Sequence, residues 1–110
     1  MKCIQNFAGN SKISAGSHHS LVLSTNNETY SFGYNRYGQL GVKDDKTKSI
    51  PTKISITENS IELPIKKVSA GSFHSLFLTT DHKVFACGEN SVNFQKNLQF
   101  NFSSFHRMVN

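Results

Sequence analysis

The chain has 110 residues, 36% of them hydrophobic, which is lean for a globular protein yet above the range of disordered chains. That length suits one modest domain, and no run approaches the ~20 apolar residues of a membrane span. Twelve Lys and Arg against seven Asp and Glu give a net charge of +5 and a pI near 9.4. The basic residues are scattered, with no run of five like charges, so charge alone argues weakly for nucleic acid or other acidic partners. Cys3 and Cys87 form no Cys-x-x-Cys, and no paired histidines accompany them at zinc-ligand spacing. Few cysteines suit a reducing compartment, and "MKCIQNFAGNSKI" lacks the apolar core of a signal peptide. The expected location is cytoplasm or nucleus.

In chain order, residues 1–10 read as a lead-in. "KISAG" then reads as a short strand whose small Ala-Gly end suits a place where backbones converge. In "HSLVLST", His19, Leu21 and Leu23 point one way and Ser20, Val22 and Ser24 the other, the alternation of a strand. Asn26-Asn27 is a turn, since Asn tolerates left-handed backbone, and "ETYSFG" returns as a second strand with Tyr30 and Phe32 on one face. "GYNRYGQLGV" is a loop punctuated by Gly33, Gly38 and Gly41, followed by the polar "KDDKTKS". "IPTKISI" reads as a further strand, with Pro51 suited to an edge because proline cannot donate to a ladder. "TENSIELP" reads as a loop.

The pattern then starts again. Ile13 to Asn35 aligns without a gap on Val68 to Asn90 at an offset of 55, with eleven of 23 positions identical. "HSLFLTT" repeats the first strand with His74, Leu76 and Leu78, Asp81-His82 the turn, and "KVFACG" the second strand with Phe85 and Cys87. A repeat of about fifty residues with roughly four strands is one propeller blade. No helix is expected before residue 91. The repeats span 11–65 and 66–90. Residues 91–110 read as the degenerate end of the second repeat or a tail, in which Leu98, Phe100 and Phe102 alternate as in an outer strand.

The pattern "SAGxxHSLxLxxxxxxYxFGxNxxGQLG" closely resembles the repeats of the regulator of chromosome condensation family. It is carried by Ala15-Gly16, His19-Ser20-Leu21, Leu23, Tyr30, Phe32-Gly33, Asn35 and Gly38-Gln39-Leu40-Gly41. In the second copy it is carried by Ala70-Gly71, His74-Ser75-Leu76, Leu78, Phe85, Gly88 and Asn90. Two departures stand out: the second copy never reaches "GQLG", and Cys87 replaces an aromatic. The resemblance implies an all-β fold of antiparallel blades, about two of a seven-bladed type, not closed by this chain alone. Two blades share one interface and leave two faces bare, each expected to expose several hundred Å² of apolar surface. The chain is therefore expected to associate with itself or with another protein, or to be a piece of a longer propeller or a decayed remnant, rather than form a monomeric ring.

The residues favour structure over chemistry. His18 aligns with Phe73, so the repeat tolerates loss of that imidazole, whereas His19 and His74 recur and read as structural, together with Gly16, Gly33, Gly38, Gly41, Gly71 and Gly88. "GYNRYGQLG" fails as a P-loop and as a dinucleotide fingerprint. His19 and Ser20 are adjacent on a strand and point apart, so they cannot act as a base–nucleophile pair. No catalytic residue, metal site or cofactor is expected, and no enzyme activity. The leading expectation is a protein-interaction module whose contacts fall on Tyr34, Arg36 and Tyr37, residue types favoured at binding hot spots. From the resemblance alone comes an alternative, guanine-nucleotide exchange on a Ran-like small GTPase. Chromatin or nucleic-acid binding is a further, less favoured one.

Overall fold

The computed structural model describes Gly9, residues 11–89 and the strand His106–Arg107. Strands β1 (Lys12–Ala15), β2 (His19–Leu23), β3 (Thr29–Gly33) and β4 (Lys48–Ile54) form a four-stranded antiparallel meander in sequential order. A small hairpin follows, β5 (Thr57–Glu58) with β6 (Ile61–Glu62). The second meander comprises β7 (Ile65–Ala70), β8 (His74–Thr79), β9 (Val84–Gly88) and β10 (His106–Arg107). Among the described residues there is no helix.

The alternation in the sequence becomes the two faces of each sheet. In the first, His19 pairs Gly33, Leu21 pairs Ser31 and Leu23 pairs Thr29, so these residues share one face. That face packs on the face of the second sheet carrying Ser75, Phe77 and Thr79. The core is this interface: Leu21, Leu23, Ile54 and Ile56 meet Ile65, Phe77, Phe85 and Cys87. The opposite face of the second sheet, with Leu76 and Leu78, is only half-buried, and Ile13 on the first is 80% exposed.

Both hairpins turn in the same way. Asn27 and His82 have φ of 66° and 70°, and in each turn the second residue of the dipeptide alone is left-handed. The amide of Asn27 donates to the Ser24 carbonyl and that of Ser24 to the Glu28 carbonyl, at 3.1 and 2.8 Å. Thr79, His82 and Lys83 repeat the arrangement. The loop is thus three residues, a β-turn closed by one left-handed residue, rather than a two-residue turn.

Two further expectations need adjustment. "TENSIELP" is not only loop: it contains β5 and β6, joined through Asn59 and Ser60, both at positive φ. Two successive left-handed residues match the twist of a tight hairpin, which Asn and Ser permit. Strand β4 begins earlier than Ile50, at Lys48, and holds Pro51 within it; the β3–β4 register shifts between Ser31 and Gly33. As the outermost strand it tolerates the missing amide. The fourth strand of the second sheet is β10, pairing His106 with Ala86 and Arg107 with Phe85. The alternation of Leu98, Phe100 and Phe102 lies outside the described residues.

Candidate interaction site at the interblade loop

One buried set of residues ties the blades together, and a second shapes the loop between them. His19 Nε2 lies 2.8 Å from Ser75 Oγ, and the Ser75 hydroxyl donates to the Gln39 carbonyl at 2.7 Å. A hydroxyl has one proton, so Ser75 accepts from His19 and the imidazole carries its proton on Nε2. This is the reverse of a general base withdrawing a serine proton, and His19 and Ser75 are both buried. Burial lowers the His19 pKa, with a backbone contact at His74 only partly opposing it, so the ring is held neutral. Cys87 Sγ also lies 3.5 Å from the Gln39 carbonyl, and burial pushes its thiol pKa well up. It is a packed donor, not a nucleophile.

Glycine is required where this contact is made. A Cβ on Gly16 would lie 2.2 Å from the Gly71 carbonyl oxygen and 2.6 Å from the His19 ring. Gly33 sits at φ +113°, where a Cβ would also meet the His18 carbonyl at 2.6 Å. Gly71 and Gly88 occupy the corresponding places beside His74.

The second set organises the loop between β3 and β4. The buried Asn35 side chain donates to the carbonyls of Asp44 and Lys46, at 2.8 and 3.1 Å, and accepts from the Leu40 amide at 3.0 Å. Gln39 Oε1 accepts from the Tyr37 amide, and Ser31 Oγ donates to the Leu40 carbonyl at 2.8 Å. Gly38 and Gly41 take the left-handed bends between, at φ +78° and +75°. Asp44 is held by the Lys46 amide and by Lys48, 2.9 Å away, and both lower its pKa, the amide more.

What this scaffold holds outward is a ring cluster. The Tyr34 amide donates to the His18 carbonyl, bringing the end of β3 beside the turn before β2. His18 then sits 6.0 Å from both Tyr34 and Phe73, Tyr34 lies 6.4 Å from Tyr37, and Tyr37 lies 5.3 Å from Phe73, mostly edge to face. The four rings close a circuit across the two blades. With Gly33 and Thr47 they line an open cleft of about 510 Å³. Tyr37 is 43% exposed, and Arg36 beside it is exposed.

Of the residues expected to contact a partner, the structure brings Tyr34 and Tyr37 together, and Arg36 between them in the chain is exposed outside the cleft lining. It adds two that sequence reasoning passed over, His18 and Phe73. The alignment of His18 with Phe73 marks the imidazole as replaceable, yet both residues carry planar rings, and that shared property is the available signal. Among the described residues no group of three or more His, Cys, Asp or Glu gathers to hold a metal. No helix among them is long and apolar enough to cross a membrane.

Two antiparallel four-stranded blades, packed face to face with repeat-equivalent residues in contact, define a β-propeller-type repeat protein. The regulator of chromosome condensation (RCC1) repeat matches residues 26–78, and a second model of the same description matches 11–39 and 65–93. The chain belongs to this family. It is 39% identical over 77 residues to the zebrafish (Danio rerio) E3 ubiquitin-protein ligase MYCBP2, covering 70% of this chain and 2% of that protein. It is 31% identical over 80 residues to the Saccharomyces cerevisiae guanine nucleotide exchange factor SRM1, covering 69% of this chain and 16% of that one. Among solved structures it resembles yeast Prp20p, with TM-score 0.66 and 30% identity over 80% of this chain and 21% of that one. It also shares the fold of human WBSCR16, with TM-score 0.76 and 23% identity over 96% of this chain and 27% of that one. The chain thus spans only a small part of the relatives it matches.

Proposed function

We propose that this chain is a protein-interaction module with no chemistry of its own, engaging a partner in the cytoplasm or nucleus through the loop at 34–47 and its ring cleft. The observation that carries this reading is the ring circuit: four aromatics from two blades, held by buried Asn35 and Gln39, around an open cleft beside Arg36. Rigid rings lose little entropy on binding, and Tyr and Arg dominate interface hot spots. Replacing Arg36 and Tyr37 together by Ala should weaken capture of the chain's protein partner at least about tenfold, with the unfolding midpoint unchanged. Undiminished capture by the folded double variant refutes the reading.

Apolar area on the outward faces, at Ile13, Leu76 and Leu78, supports association with another chain or with itself. Sedimentation of the folded chain as a 12.3 kDa monomer at all concentrations would remove self-association. A second reading, nucleotide exchange on a Ran-like GTPase, is supported by similarity to the guanine nucleotide exchange factor SRM1 and to Prp20p, which has binding properties to Gsp1p and histones. Failure of the purified chain to accelerate nucleotide release from such a GTPase at micromolar concentration eliminates it.

A further inference from the structure

The cleft has a chemistry narrower than "protein binding". Its lining is four rings, a glycine and Thr47, with no carboxylate among them. A volume near 510 Å³ falls in the range of sites that enclose an organic group. The surroundings are basic. The segment from Tyr34 to Lys48 carries Arg36, Lys43, Lys46 and Lys48 against Asp44 and Asp45. Asp44 is already occupied by Lys48 and by the Lys46 amide, which leaves Arg36, Lys43 and Lys46 facing solvent against Asp45. Glu89, whose amide bonds the Phe73 carbonyl, is the other acid at this end and is half-buried.

An aromatic site can in general hold a cation over its ring faces. Here the lining gives a cation no carboxylate, and the exposed charged side chains of the adjoining 34–48 segment are mostly basic. A bulky apolar side chain suffers no such repulsion, and acidic residues on either side of it would meet the surplus of Arg36, Lys43 and Lys46. The cleft is open and stands on a loop, so its occupant reaches it from a surface segment and need not be enclosed.

We infer that the cleft takes a bulky apolar side chain, aromatic by preference, from a peptide segment of a partner whose neighbouring residues are acidic. The inference rests on the interaction-module reading and specifies its ligand. Direct titration of the intact chain with short labelled peptides tests it. One peptide carries Phe between aspartates, and its controls carry Ala between aspartates, Phe between lysines, and trimethyl-lysine between serines. The Phe–aspartate peptide should bind at least about tenfold more tightly than each control, and its advantage over the lysine-flanked peptide should shrink as salt is raised from roughly 50 to 500 mM. Tyr37→Ala should erase the preference for Phe over Ala, while Arg36→Ala should reduce the preference for acidic flanks and keep that for Phe. Equal binding of all four peptides, no binding, or preference for the lysine or trimethyl-lysine peptide overturns the inference. If any of these occurs while the Arg36 and Tyr37 double variant still loses its protein partner, the module reading stands and only the ligand is wrong.

Discussion

Strands β2 and β8 share the sequence His-Ser-Leu-x-Leu, and the molecule uses the two copies in opposite ways. In β2 the His/Leu/Leu face is buried: His19 at 3%, Leu21 at 0% and Leu23 at 5% exposure. In β8 the equivalent residues are half-buried, while the intervening Ser75, Phe77 and Thr79 lie fully inside. One blade offers its histidine face and the next receives it with its serine face, so each strand sequence must satisfy two different neighbours. Identical residues therefore carry different energies in the two blades, and paired substitutions measure the difference.

The largest effect belongs to the residue at the centre of the receiving face. Phe77→Ala should cost about 3–5 kcal/mol, enough to unfold much of the population, as read by chemical denaturation followed by circular dichroism. If it costs less than about 1 kcal/mol, the blades are not packed as described. Next comes the pair that defines the contrast. Leu21→Ala should cost about 2–5 kcal/mol and its equivalent Leu76→Ala only about 1–2 kcal/mol, because only the first leaves an enclosed cavity. Equal costs would mean that the outward face of β8 is covered in solution as fully as the inner one.

Smaller, but more specific to the network, is the serine pair. Ser75→Ala strips the His19 ring of its acceptor and the Gln39 carbonyl of a donor, for about 1–3 kcal/mol. Ser20→Ala, on the half-exposed face, should stay within about 0.5 kcal/mol. The subtlest effect is on pH. Folded His19 has a pKa below its ordinary value of 6.5, so the unfolded chain takes up a proton that the folded one refuses. Stability should hold above about pH 7 and decline as pH falls through the window beneath 6.5, and His19→Gln should flatten that decline. A His19→Gln profile that still parallels the parent would assign the decline to other groups.

The fold was legible because its main signal is periodic. Alternation in "HSLVL" and "HSLFL" defined strands, and their recurrence defined blades, since both depend only on residues near in sequence. The partnership of His19 with Ser75 was not legible, because periodicity says that a strand has two faces and does not say which face meets the neighbour. Gly16 could be read as crowded, yet what crowds it, the Gly71 carbonyl, belongs to the other repeat. For the candidate site, Tyr34 and Tyr37 were visible as aromatics in a glycine-bent loop. His18 and Phe73 were hidden by the comparison that revealed the repeat, because aligning them made the imidazole look dispensable, whereas in space the two rings lie 6.0 Å apart, tilted, across the blade interface. Hairpin β5–β6 escaped because Asn59 and Ser60 lack the glycine that usually announces such a turn.

The one-way fit between histidine face and serine face also constrains how such a chain can change its length. Excising or duplicating one whole period joins surfaces that already match, so the product folds by the same contacts. A cut that removes part of a period takes strands out of a blade and parts His19 from a Ser75-type partner, which strands a buried donor or acceptor. Growth and shrinkage by unequal recombination are therefore tolerated only in whole blades, and His19 with Ser75 act as the check on reading frame between one repeat and the next.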